Sequence, residues 1–158
     1  MIRGIHHVSL TTGQLRRMIA FYCEAFGFDL VKPPFAWAPG MAGLDRVTGM
    51  AGTSGRNAML RNMNVYLELF EYLTPSGRPA DPSRRPVDVG ITHLCFDVTD
   101  IHGEYARLQG LGVQFTCPPQ SLGTVIATYG RDPDGNIFEL QEILDPDGLG
   151  SPFPIPHG

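Results

Sequence analysis

Gly4-Ile5-His6-His7-Val8-Ser9-Leu10 and Gly90-Ile91-Thr92-His93-Leu94-Cys95-Phe96 align without a gap at an offset of 86 residues (90 − 4), and this self-similarity decides the fold. Each run is short and strand-like, and each leads into a helical stretch. Within residues 14–26 the apolar positions Leu15, Met18, Ile19, Tyr22 and Phe26 recur at helical spacing, as do Ile101, Tyr105, Leu108 and Leu111 within residues 101–111. Gly27-Phe28-Asp29-Leu30 and Gly112-Val113-Gln114-Phe115 then close each helix with glycine and open a new strand.

The two units also end alike. Asn64-Val65-Tyr66-Leu67-Glu68-Leu69-Phe70-Glu71 parallels Asn136-Ile137-Phe138-Glu139-Leu140-Gln141-Glu142, pairing Glu68 with Glu139 once one residue is inserted. From His7 to Glu68 is 61 residues (68 − 7) and from His93 to Glu139 is 46 (139 − 93), so the first unit carries about 15 more. Residues 33–55, rich in Pro, Gly and Met and holding the only Trp, are the natural place for them. The organisation read from this is a first module over 1–73 with an insertion at 33–55, and a linker over 74–88 with four prolines and three arginines. A second module follows over 89–145, then a Pro/Gly-rich tail over 146–158. Each module reads as strand, helix, then two or three strands, an α+β chain whose two sheets could pair into a curved surface. No strand is followed by G-x-G-x-x-G or a P-loop, which argues against a parallel-sheet nucleotide fold.

Composition narrows the function classes. The chain has 158 residues, enough for one domain or two small units with a shared core; 42% are hydrophobic and 18% charged, ordinary globular values. A formal net charge of −4 carries no basic footprint for nucleic acid. No apolar run approaches membrane-spanning length, and Met1-Ile2-Arg3-Gly4-Ile5-His6-His7 lacks the apolar core of a signal peptide. Three cysteines, Cys23, Cys95 and Cys117, form no C-x-x-C pair and suit a reducing compartment. The expectation is a cytoplasmic protein acting on a small molecule.

Strand side chains alternate between faces. Val8 and Leu10 suit the helix that follows them, which leaves His7, Ser9 and Thr11 on the opposite face. The same logic gives Leu94, Phe96 and Val98 to the helix, and His93, Cys95 and Asp97 to the other side. Glu68 shares a face with Tyr66 and Phe70, and Glu139 with Ile137 and Gln141. A carboxylate in mid-strand among apolar residues is costly unless it is paired or bound to a cation. A lone strand histidine is usually a structural residue; four such residues in matched register point instead to a metal site of His7, Glu68, His93 and Glu139. Imidazole and carboxylate donors suit Zn, Ni, Co, Fe or Mn, and the lack of cysteine ligands argues against a closed structural zinc site. His6 is the rival of His7, set aside because its counterpart is Thr92. Glu71 and Glu142 also match, but their places near strand ends predict solvent exposure.

At these residues the chain resembles the vicinal oxygen chelate superfamily, which includes glyoxalase I, methylmalonyl-CoA epimerase, extradiol dioxygenases and antibiotic-resistance proteins. The resemblance spans residues 4–143 as one such domain. It rests on Ile5-His6-His7-Val8-Ser9-Leu10, on Phe21-Tyr22-Cys23-Glu24-Ala25-Phe26-Gly27-Phe28, on Leu67-Glu68-Leu69-Phe70-Glu71, on Gly90-Ile91-Thr92-His93-Leu94, and on the Pro-Asp-Gly turn of Asp132-Pro133-Asp134-Gly135-Asn136-Ile137-Phe138-Glu139-Leu140. It implies two βαβββ modules forming a curved mixed sheet around a divalent cation, on which a substrate chelates through adjacent oxygens.

The ligand set resembles those of bacterial glyoxalase I and the epimerase, and so implies a lyase or isomerase. Its base would be Glu68 or Glu139, released from the cation and abstracting a proton next to a carbonyl. Thr11 stands where bacterial glyoxalase I enzymes carry an arginine for glutathione, which argues against that thiol as substrate. Ser9, Thr11 and Cys95 beside the ligands, with the aromatic residues Trp37, Phe70 and Tyr129, are the candidate substrate contacts. An extradiol-type dioxygenase and a non-catalytic binding or resistance protein are the alternatives. The exposed edges of two small sheets predict a homodimer.

Overall fold

The computed structural model describes residues 1–81 and 83–145, so the 146–158 tail lies outside the described residues. The chain divides into two compact units, Met1–Ala80 and the part from Asp81 onward. In the first unit β1 (His7–Thr11) leads to α1 (Leu15–Phe26), β2 (Asp29–Leu30), β3 (Phe35–Trp37), α2 (Ala42–Thr48), β4 (Ser54–Asn62) and β5 (Val65–Thr74). The second runs β6 (Leu94–Asp97), α3 (Ile101–Gly110), β7 (Gln114–Phe115), β8 (Gln120–Ser121), β9 (Val125–Arg131) and β10 (Ile137–Ile143).

The sheets have one topology. The first is ordered β1-β5-β4-β2 with β3 also on β4; the second is β6-β10-β9-β7 with β8 also on β9. In each, the first strand runs parallel to the last and every other pairing is antiparallel. A parallel pair needs a long crossover, and the helix with its following strands supplies it. The α+β class and the repeated module of strand, helix and further strands expected from the sequence are what the molecule contains, each unit with a five-stranded mixed sheet.

The core of each unit lies between its sheet and its helix. Leu15, Met18 and Tyr22 on one stripe of α1 are buried with Ala58 and Leu60 of β4 and with Leu67 and Leu69 of β5. In the second unit Ile101 and Leu108 of α3 are buried with Phe138 and Leu140 of β10. Each such side chain contributes about 1.5–3 kcal/mol on burial. The helix ends follow local chemistry. Gly27 adopts a left-handed φ of 65°, which lets its N–H reach the Cys23 carbonyl and the Phe28 N–H reach that of Tyr22. Asp100 starts α3 by accepting from the Gly103 N–H at 3.0 Å.

Residues 33–55 carry β3 and α2. Asp45 of α2 accepts from the Gly52 N–H, the Thr53 N–H and the Thr53 hydroxyl, and the Trp37 indole N–H donates to that same hydroxyl. A Cβ at Gly55 would overlap the Trp37 ring and the Glu71 carbonyl, so glycine is what lets the indole lie across β4.

Glu71 and Glu142, expected in solvent, are engaged on the helix side of their sheets. Glu71 is buried and paired with Arg56 at 2.8 Å, because Arg56 stands opposite it in the β4–β5 hairpin. Glu142 is half-buried and accepts from the Ile101 N–H at 3.1 Å, where the positive end of the α3 dipole favours a carboxylate. No helix among the described residues is long and apolar enough to cross a membrane.

Candidate metal centre

The matched registers place the candidate ligands. On the parallel pair β1–β5, Ser9 lies opposite Glu68, so Glu68 is paired two residues beyond His7. On β6–β10, Cys95 lies opposite Glu139, again two residues beyond a histidine, His93. Parity does the rest. Leu67, Leu69 and Glu71 point to α1, leaving Tyr66, Glu68, Phe70 and Tyr72 on the opposite face. Phe138 and Leu140 are buried, while Glu139 and Gln141 take the other side.

Each histidine meets its glutamate. His7 Nε2 is 3.3 Å from a Glu68 oxygen, and His93 Nε2 is 2.9 Å from a Glu139 oxygen. The glutamates are mostly shielded, 16% and 13% exposed at the side chain, and the histidines less so, at 39% and 26%. Among the described residues no group of three or more His, Cys, Asp or Glu is placed to hold a cation. The predicted set stands as two pairs, one on each sheet.

The donors fit a first-row divalent ion. Adjacent ligands with bonds of about 2.1 Å are separated by about 3.0 Å in octahedral and about 3.4 Å in tetrahedral geometry, and both pairs have that spacing. The Nδ1 of His93 is buried with no hydrogen-bond partner among the described residues.

The neighbours differ between the two pairs. Asn57, diagonal to Glu68 across the β4–β5 ladder, donates from Nδ2 to the second Glu68 oxygen at 3.0 Å. His6 lies before β1; its Nδ1 is 3.0 Å from that of His7, and its ring stacks on Tyr66 at 4.9 Å with the planes 5° apart. Were His7 Nε2 a ligand, its Nδ1 would carry the proton and His6 Nδ1 would be placed to accept it.

Around Glu139, Cys95 and Tyr129 replace these groups. Burial first, and then the charge of Glu139 and a hydrogen bond to it, push the Cys95 thiol up to about 12. Burial, the Glu139 charge and Cys95 raise the Tyr129 phenol. The Tyr129 ring also lies 5.0 Å from that of His93. On the first sheet, burial and then the Glu68 charge raise Tyr72.

The candidate substrate contacts divide. Ser9 and Thr11 are exposed on the ligand faces, Cys95 is exposed as a residue with its thiol partly desolvated, and Phe70 and Tyr129 are half-buried there. Trp37 is 6% exposed, its ring edge-on to Phe70 at 6.0 Å and to Tyr72 at 5.5 Å. It therefore packs beside the aromatic end of the face. Sequence reasoning passed over Asn57, Tyr72 and the approach of His6 to His7. Asn57 was within reach: Asn62 pairs with Val65, so partners in the hairpin sum to 127 and Asn57 falls opposite Phe70, on the Glu68 face.

In each sheet a histidine at the start of β1 or just before β6 meets a glutamate of the last strand. The chain belongs to the Glyoxalase/Bleomycin resistance protein/Dioxygenase superfamily, whose model matches residues 4–140. It is 34% identical over 158 aligned residues to a 2-epi-5-epi-valiolone epimerase of an Actinomyces species, covering 95% of this chain and 82% of that one. Among solved structures it shares the fold of a glyoxalase family protein from Bacillus cereus, with a TM-score of 0.80 and 23% identity over 92% of this chain and 97% of that one. It also shares the fold of a fosfomycin resistance protein from Listeria monocytogenes, solved with Mn(II) and sulfate, at a TM-score of 0.58 and 17% identity over 90% and 93%.

Proposed function

We propose that the protein is a divalent-metal-dependent enzyme that transfers a proton at the carbon next to a carbonyl of a small oxygenated substrate, as an epimerase, isomerase or lyase. His7, Glu68, His93 and Glu139 would hold the cation. The observation that carries this reading is the repeated register: in both sheets the glutamate is paired two residues beyond the histidine and meets its Nε2. The epimerase relative supports the reaction class, and the Mn(II)-bound protein of the same fold supports the choice of a hard or borderline cation.

When bound, the cation would supply positive charge to stabilise an enolate oxygen. The chain's own groups account for the remainder. Glu68 or Glu139 takes the proton, since a carboxylate released from an opposite charge regains basicity. The half-buried aromatic residues Phe70, Tyr72 and Tyr129 limit water at the reacting carbon. The hydroxyls of Ser9 and Thr11 are free to orient substrate oxygens.

The test combines metal analysis of the purified protein with proton exchange. In deuterated water, a metal-loaded sample given small α-hydroxycarbonyl compounds should place deuterium at the carbon next to the carbonyl. Oxygen uptake with ring cleavage of catechols, and no such exchange, would overturn proton transfer in favour of a dioxygenase. Absence of stoichiometric metal would remove the centre itself. We further propose a homodimer, because β1 and β6 are each paired on one edge alone. Light scattering that finds a 17.3 kDa species at micromolar concentration would overturn it.

A further inference from the structure

We propose that Asn57 is a positioning residue for the metal centre: its carboxamide fixes the Glu68 carboxylate so that one oxygen stays turned towards His7. The inference rests on the metal reading above and assigns a role to a residue outside the ligand set.

The geometry is specific. Glu68 uses its two oxygens on two partners, one facing His7 Nε2 at 3.3 Å and the other accepting from Asn57 Nδ2 at 3.0 Å. A carboxylate only accepts, so the contact requires the amide nitrogen of Asn57, and this sets the orientation of the carboxamide. A glutamate has three rotatable side-chain bonds, and a free one would sample several positions of its oxygens. A donor on the rear oxygen removes that freedom before any cation arrives, and outer-shell groups of this kind commonly carry 10- to 100-fold in metal affinity.

Asn57 is itself held. It sits on β4 between Phe35 of β3 and Phe70 of β5, so the segment built by residues 33–55 flanks it on one side and the glutamate strand on the other. The second sheet provides an internal control. Met59 faces Glu68 and Tyr129 faces Glu139, so the place of Asn57, two residues earlier on the strand, is taken by Ala127. Alanine has no donor. Glu139 is met instead by the Cys95 thiol, a weaker donor. The two glutamates are thus held by different means, an amide donor on the first sheet and a thiol on the second.

The test is a titration of apo protein with Co(II), followed by its visible spectrum and by calorimetry. Asn57→Leu keeps the size of the side chain and removes the donor; it should weaken Co(II) binding 10- to 100-fold and alter the ligand-field bands, with the melting temperature of the apo protein little changed. Ala127→Gly, which adds no bulk at that buried matching place, should stay within about threefold of wild type. In a Glu68→Ala background, Asn57→Leu should cost less than about twofold, because a group acting through Glu68 has nothing left to position. Equal losses with and without Glu68, or unchanged affinity and spectrum in Asn57→Leu, would overturn the proposal while leaving the metal centre standing. Failure of the wild type to bind Co(II) would overturn both.

Discussion

Glu68 and Glu139 occupy one register in two sheets, yet their surroundings differ in kind. Glu68 is met by an amide donor and by His7, itself backed by His6, with Tyr72 near its charge; Glu139 is met by a thiol and a single histidine, with a phenol near its charge. The strand ladder determines where a carboxylate stands. The side chains beside it determine how firmly it is held and which proton donors it has. A repeated backbone can therefore present two carboxylates in one register with different neighbours.

The largest expected effect separates the helix side of a sheet from its ligand side. Phe138 is 1% exposed and packed by Phe96 and Phe115, so Phe138→Ala should cost about 3–5 kcal/mol of stability. Phe70, half-buried on the ligand face, should cost clearly less as Phe70→Ala, and chemical denaturation of both variants measures the contrast. Equal losses would mean that the two faces are not core and site.

Cys95 sharpens the comparison of the two glutamates. With its thiol held up to about 12 against an ordinary value of 9.0, Cys95 should react with a disulfide reagent at neutral pH about 50-fold more slowly than an ordinary thiol. Burial is the main cause and Glu139 the second, so Glu139→Ala should recover only a few-fold of that rate. Mass-spectrometric labelling over time reads both. Metal binding comes next: His7→Ala, His93→Ala and Glu139→Ala should each lower the affinity for a divalent ion at least about tenfold, or about 1.4 kcal/mol. Glu68→Gln should retain part of it. Chelation should lower the melting temperature of the wild type, because the ion binds the folded state alone.

The smallest effects are those of pH. Hydrogen bonds from the Thr53 hydroxyl and N–H and from the Gly52 N–H hold Asp45 below the usual aspartate range. Its stabilisation is thus present above about pH 4 and is lost as the pH falls through its lowered value. Burial, and then the Glu142 charge, raise Asp97. Its folded-state preference is for the protonated form, so that contribution is present below about pH 4 and is lost as the pH rises through the raised value. Asp45→Asn should therefore flatten the acid side of the stability profile, and Asp97→Asn should stabilise near neutrality. Thermal melts from pH 3 to 8 would show both; a stabilising Asp45→Asn would contradict the role of its hydrogen bonds to Gly52 and Thr53.

The paired modules were legible because strands and helices of an α+β repeat differ in period, and because two glycines close the two helices at matched places. The strand faces were legible for the same reason, since alternation needs no knowledge of neighbours. What escaped reading depends on partners distant in sequence. Glu71 looks like a strand-end carboxylate until Arg56 is seen across the hairpin. Glu142 looks the same until the start of α3, 41 residues earlier, is seen beside it. The short helix α2 carries Gly43 and ends at Gly49, which masks its period; it is held by Asp45 reaching Gly52 and Thr53. Asn57 carries no periodic signal, and its meaning comes only from the carboxylate diagonal to it.

Trp37 gives the molecule its own optical gauge. It is the sole tryptophan, shielded from water, with its indole N–H committed to Thr53 and its ring against Phe70 and Tyr72. Its emission should be blue-shifted in the native protein and should report on one district only: the β3–α2 segment and the aromatic end of the first sheet. Loosening of that district would shift the spectrum to the red while far-ultraviolet circular dichroism stayed native. Comparing the two signals during slow denaturation would show whether the wall beside Glu68 opens before the sheets themselves come apart.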